Sequence, residues 1–162
     1  MTSDFETLQA IEEKHRSYYM TKKIELCGDD RMVRGFQLFI DKVDGLESEP
    51  ITLSRIGASD KCSEWYVPLD QYIKHIIISA SLDQVFYVQF ITNEGETVEM
   101  GDRTVGTVTE RSDIEMDEFE HLIGAFGRVS MNQDGYYLHT LGFFKNECRM
   151  DQQAVADLAA FA

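Results

Sequence analysis

The chain has 162 residues, with 15 Lys+Arg against 29 Asp+Glu for a formal net charge of −14, and 43% of it is hydrophobic. That length suits one domain with short appendages, and that apolar fraction suits a packed core rather than global disorder. The negative charge repels phosphate backbones and anionic lipid surfaces, so it argues against nucleic acid; it suits a basic protein or a cation as partner, and solubility alone also explains it.

The first segment reads as a helix reaching about Met20. Ser3-Asp4-Phe5-Glu6 is a capping-box pattern, with Ser3 as N-cap and Glu6 reaching back. Phe5, Leu8, Ile11, His15, Tyr18 and Tyr19 then recur at helical spacing. The segment is charged throughout and lacks the apolar stretch of a secretory signal. No apolar run reaches the roughly 20 residues of a membrane span. The expectation is an intracellular protein, cytoplasmic or within an organelle.

From Thr21 the period changes to two. Ile24 and Leu26 fit a short strand, Gly28-Asp29-Asp30 a turn, and Val33 to Ile40 a second strand. Asp41 to Pro50 reads as a polar loop, Ile51 to Ile56 as a weaker strand and Gly57 to Ser63 as another loop. Tyr72 to Ala80 and Val85 to Thr92, rich in Ile, Val, Phe and Tyr, are the strongest strands, joined by Ser81-Leu82-Asp83-Gln84. After a turn at Asn93-Glu94-Gly95, Glu96 to Met100 returns, and Val105 to Val108 is a further strand.

The window Glu94 to Glu120 holds ten acids and two bases, a net −8, and its part from Asp113 to Glu120 reads as a solvated acidic loop. Leu122 to Val129 and Tyr136 to Lys145 form a last hairpin around Met131 to Gly135, where Asp-Gly supplies a positive-φ position. The tail from Asp151 reads as a helix with Val155, Leu158 and Phe161 on one face. Many short strands at this spacing imply a sandwich, barrel or prism.

Chemical motifs are mostly missing. Cys27, Cys62 and Cys148 are an odd, scattered set without a CxxC, which reads as free thiols in a reducing compartment. There is no Gly-rich nucleotide loop, and His15, His75, His121 and His139 show no HExxH or finger spacing. Asp113 to Asp117 lacks the glycine and the final acid of a calcium loop. No nucleophile elbow frames a serine. No catalytic residue, metal or cofactor is expected, although surplus acids leave a glycosidase-type carboxylate pair open. His75 and His121 read as surface residues, and of Tyr136 and Tyr137 one is expected in the core and one exposed.

The ordered fragments resemble the jacalin-related lectin domain. They are Lys23-Ile24-Glu25-Leu26, then Val33-Arg34-Gly35-Phe36-Gln37-Leu38, and Leu69-Asp70-Gln71-Tyr72-Ile73. Val85 to Asn93, Leu122-Ile123-Gly124-Ala125-Phe126-Gly127-Arg128 and Gly135-Tyr136-Tyr137-Leu138-His139-Thr140-Leu141-Gly142 follow. The resemblance covers about residues 21 to 147. It implies an all-β fold, a β-prism of three Greek-key antiparallel sheets. To this the chain adds an N-terminal helix (1–20) and a C-terminal helical tail (148–162).

The resemblance also implies a sugar site at one end of the prism, where a G-x-x-x-D loop meets a glycine-led N-terminal segment and a hairpin loop. Here those map onto Gly135 to His139 and Ser81 to Gln84, and the N-terminal glycine segment is missing. The residues implied for a retained site are Asp83, Asp134, Gly135, Tyr136, Tyr137 and His139. His139 stands where the family has an acid. An imidazole offers one acceptor, and losing a charged acceptor removes on the order of 1.5–3 kcal/mol. The expected function is therefore a non-catalytic interaction or structural module of a larger assembly, with a protein partner and a degenerate sugar site. The alternative is a working lectin with a rearranged site and a glycan ligand.

Overall fold

The computed structural model describes residues 2–11, 19–43, 50–81, 84–103, 110–117, 120–133 and 135–147. Its described residues form twelve strands and one short helix, in three antiparallel sheets. This is the β-prism architecture that the resemblance implies, one of the three that the strand spacing leaves open.

One sheet is built on β2 (Tyr19–Gly28) and β3 (Val33–Lys42), flanked by β6 (Cys62–Tyr66) on one side and the short β4 (Ile51–Thr52) and β5 (Ile56–Gly57) on the other. The second is built on β7 (Ile73–Ser81) and β8 (Gln84–Thr92), flanked by β10 (Glu110–Glu115) and β9 (Thr97–Gly101). In both, a later strand returns beside the first strand of the hairpin, which is Greek-key order. The third sheet holds β1 (Thr2–Ser3), β11 (Glu120–Asn132) and β12 (Gly135–Glu147).

The three long hairpins carry the same irregularities. Each has one extra residue on its first strand, Lys22, Lys74 or Ile123, and one on its second, Arg34, Phe86 or His139. An extra residue bends the strand and reverses its inside–outside phase. Ile73 and then Ile76 and Ile78 are all buried because the bulge at Lys74 shifts the phase between them. The inward side chains Ile24, Leu26, Phe36, Leu38, Ile76, Val88, Phe90, Leu122 and Leu138 meet in one core.

Two glycines show the same repeat. Ala58 N–H donates to Arg34 C=O (3.0 Å) and Asp102 N–H to Phe86 C=O (2.9 Å), so an outer strand is tied to each bulge carbonyl. The residue before each donor is a glycine at positive φ, Gly57 (+88°) and Gly101 (+98°). A Cβ there would stand 2.2 Å from the Arg34 oxygen or 1.9 Å from that of Phe86. In the third sheet, no strand among the described residues pairs with the outer edge of β12 beside His139.

Several expectations change. The first helix, α1, spans only Phe5–Ala10, and Tyr19 and Met20 already belong to β2. Its N-cap is Asp4, not Ser3, and the Asp4 side chain turns away to Ser54 and Ala125. The weak strand from Ile51 to Ile56 is broken into β4 and β5, and the loop ending at Ser63 contains the start of β6. The acidic stretch from Asp113 is in part a strand, β10, on the edge of its sheet, where charged side chains protect an exposed ladder. The last hairpin is longer than expected: Asn132 pairs with Gly135, leaving a two-residue connection instead of an extended loop. The proposed strand at Val105 to Val108 and the tail helix from Asp151 lie outside the described residues.

Candidate functional site

The turns converge at one end of the prism. The β2–β3 turn meets the end of β9, where Gly101 N–H donates to Asp29 C=O (3.0 Å). It meets the segment before β6 through Gly28 N–H to Lys61 C=O (3.1 Å). Arg34 reaches across to the last hairpin, its Nη1 donating to Tyr136 C=O (3.2 Å). Ser81 pairs with Gln84, two positions before the bulge at Phe86, and Phe86 C=O accepts from Asp102 N–H (2.9 Å), so this end of the β7–β8 pair lies beside the end of β9.

Of the sequence-predicted residues, Gly135, Tyr136, Tyr137 and His139 all lie on β12 rather than in a loop. Gly135 takes φ +110° at the hairpin tip, as its Asp-Gly context implies. Tyr136 is 45% exposed, and Tyr137 is half-buried, so neither ring enters the core. His139 is the bulge residue opposite Arg128 and Val129. Its Nδ1 is buried without a hydrogen-bond partner among the described residues. The imidazole therefore presents less hydrogen-bonding capacity here than the sequence allows. Asp83 and Asp134 lie outside the described residues.

Arg34 is the residue that sequence reasoning missed. Its only signal is its place before Gly35, where the two-residue period breaks. The turn beside it is held by Asp29, whose Oδ1 accepts from Arg31 N–H (2.9 Å) and Met32 N–H (3.0 Å). The Arg31 hydrogen bond, with that of Met32 and the nearby Arg34 and Arg31 charges, outweighs burial and holds the carboxyl below the usual range.

The other two histidines among the described residues contact neighbouring side chains. His75 faces Glu115 across the β7–β10 pair, with Nε2 3.6 Å from the carboxylate. His121 is not a surface residue as expected: it packs edge-on against Tyr72, with ring centroids 5.6 Å apart, and its Nδ1 is buried. Burial, with a smaller contribution from the Lys22 charge, lowers its pKa from the ordinary 6.5. The folded chain thus binds fewer protons here than the unfolded chain, and stability falls as pH drops below about 6.5. In His121→Phe this loss is absent. Urea titrations of both proteins from about pH 7.5 to about pH 5 should show the wild type losing ground by at most about 1.4 kcal/mol per pH unit. A constant difference would refute it.

Two further clusters lie away from the turns. An open cleft of about 570 Å³ sits on the third sheet, lined by Ser3, Phe5, Glu6, Phe126 and Phe144. On the first sheet, Cys27 and Cys62 form a disulfide, which corrects the free-thiol expectation for this pair. With Glu25 they are a grouping of metal-type donors, all within 4.8 Å of one another. The guanidinium of Arg55 lies 2.6 Å from the Glu25 carboxylate, so a cation already occupies this corner. Cys148 lies outside the described residues.

The exposed tyrosine, the meeting turns and the threefold repeat of bulged hairpins together define the architecture. Solved structures that share it include the prostate-specific WGA16 glycoprotein lectin, at 17% identity and a TM-score of 0.59, covering 79% of this chain and 83% of that one. The fold is that of the jacalin-related lectins. The mannose-binding lectin from champedak matches at 17% identity and a TM-score of 0.58, covering 78% and 82%. Frutalin from Artocarpus incisa, solved in complex with galactose, matches at 16% and 0.58, covering 78% and 92%. No family model and no curated protein sequence matches the chain. The jacalin-like prism here is therefore a divergent one. Among its described residues no helix is long and apolar enough to cross a membrane.

Proposed function

We propose that this jacalin-like prism is a non-catalytic glycan-binding module with a rearranged site at its turn end. The observation that carries the reading is the exposed Tyr136 ring on a hairpin tip tied to the neighbouring turn by Arg34. A sugar ring stacks on such a face, while the Arg34 guanidinium and the backbone of 135–137 supply hydrogen bonds to hydroxyls. Asp83 and Asp134, acids that the sequence reading assigns to a retained sugar site, are the candidates to replace the one absent at His139. The fold neighbours favour the same reading, since several are described as mannose-binding, galactose-binding or galactose-specific lectins.

The reading as a protein-interaction or structural subunit rests on His139 in place of the acid. Helix α1 adds little to it as a docking element, because Asp4 and Leu8 are buried against the prism itself.

Calorimetric titration with methyl α-galactoside, methyl α-mannoside and mannotriose tests the proposal. The expected result is saturable binding near the millimolar range, weakened about tenfold in Tyr136→Ala. Restoring an acid in His139→Asp should raise affinity about tenfold. No binding to any of these sugars, with recovery of a fixed protein partner, would favour the subunit reading.

A further inference from the structure

We propose that Cys27 and Cys62 form a thiol–disulfide exchange site, a reversible dithiol that reacts with small thiols and disulfides under the control of Arg55. The two cysteines are register partners on β2 and β6. At the next position Gly28 N–H bonds Lys61 C=O, so the cysteines fall on a narrow pair, where opposed side chains come closest. Both sulfurs then meet on the outer face of the first sheet, in line with Lys23 and Glu25.

Arg55 is fixed against them. Its Nη1 lies 3.4 Å from Cys27 Sγ and 3.8 Å from Cys62 Sγ. Its Nη2 bonds Gln37 Oε1 (2.9 Å) and Glu25 Oε1 (2.6 Å). Gln37 is held in turn by its Nε2 bond to Leu53 C=O (2.7 Å). A neutral disulfide gains little from a guanidinium. The dithiol gains much, because a neighbouring cation favours the thiolate, the form that attacks disulfides. An arginine held against the sulfurs by two oxygen acceptors is an arrangement for the reduced state.

Exposure assigns the roles. Cys27 is fully buried, and Cys62 is only part-buried. In oxidation, the Cys62 thiolate attacks one sulfur of a small disulfide RSSR, its S–S bond breaks, and RS⁻ leaves. Cys27 Sγ, 3.9 Å from Glu25 Oε1, gives its proton to that carboxylate. Its sulfur then attacks Cys62 Sγ and expels the second RS⁻. Two protein thiols are oxidised and RSSR is reduced to two thiols. Excess RSH drives the same steps backwards.

The test uses the full chain in mixtures of reduced and oxidised glutathione, with alkylation and mass spectrometry as the readout. Wild type should pass between dithiol and disulfide as a two-electron couple with an unchanged circular dichroism spectrum. Cys27→Ser should trap glutathione on Cys62, while Cys62→Ser traps little on Cys27. In Arg55→Gln the reduced protein should react about tenfold more slowly with oxidised glutathione, and Arg55→Lys should retain most of the rate. A pair that glutathione never reduces in the folded protein, or equal rates in wild type and Arg55→Gln, would overturn the proposal. If an Arg55 variant loses the native spectrum, the trapping assay decides alone, and capture on Cys27 or on neither cysteine counts against it.

Discussion

Asp4→Ala should destabilise the protein by about 4 kcal/mol, which urea unfolding measures directly. Asp4 is 1% exposed, yet its carboxylate is paired twice, with Oδ1 2.7 Å from Ser54 N–H and Oδ2 2.8 Å from Ala125 N–H. Its own N–H donates to Ala125 C=O (2.9 Å). One side chain therefore joins the N-terminus, the segment between β4 and β5, and β11. Hydrogen bonds to charged groups are worth about 1.5–3 kcal/mol each, and alanine leaves two buried donors without acceptors. Leu8 loses its seat with them, because α1 rests on Gly124, where a Cβ would stand 2.9 Å from Leu8 Cδ1 and 3.2 Å from Asp4 Cβ.

The pH dependence has a definite sign. Burial raises the Asp4 pKa from 3.8 by more than the hydrogen bonds from Ala125 and Ser54 lower it. Between that ordinary value and the raised one, the folded chain holds more protons than the unfolded chain, so stability falls as pH rises through this window. The deficit of Asp4→Ala should then widen as pH is lowered from about 7 toward about 4. A variant within about 1 kcal/mol of wild type at every pH would show that the anchor is dispensable.

The prism was legible in the sequence because its long hairpins announce themselves. Val33 to Ile40, Tyr72 to Ala80 and Val85 to Thr92 carry the β-branched and aromatic residues that a half-buried pleated surface selects. What escaped were the edge strands. In β6 only Trp65 and Cys62 are even partly covered, and β10 is polar, so neither shows the pattern that burial imposes. The phase reversals escaped for a related reason. A bulge adds a residue without a compositional mark, and the extra ones here are as unlike as Lys22, Phe86 and His139.

The candidate site was half legible for the same reason. The Asp-Gly turn and Tyr136 could be read locally. Arg34 comes from another hairpin 102 positions away in sequence, and only the closing of the prism brings it to Tyr136. His121 shows the converse error. A histidine opening a strand reads as exposed, but Tyr72, just ahead of β7, covers it. The cysteine pair is illegible because the sequence from Gly57 to Ser63 reads as loop, and nothing in it places Cys62 opposite Cys27.

Reducing the Cys27–Cys62 bridge should lower stability by about 3–4 kcal/mol and the midpoint of thermal unfolding by roughly 10 °C. The bridge joins residues 35 positions apart, a span that encloses β3, β4 and β5 and the crossing that brings β6 beside β2. In the unfolded chain that loop is free once the bond is broken, and the lost constraint is what the native state must then overcome. The folded state changes less, because the Cys27 position stays enclosed by Arg55, Gly35 and the backbone at Ala58, which sits 2.5 Å from where a Gly35 Cβ would be. Urea unfolding with and without dithiothreitol separates the two sides. A lower midpoint with a steeper slope means that the reduced unfolded chain has expanded, as the constraint model requires. A lower midpoint with an unchanged slope would place the effect in the native sheet instead. An unchanged midpoint would show that the five-residue strand β6 holds its place beside β2 through its hydrogen bonds and the Lys23–Glu64 pair (2.8 Å) alone.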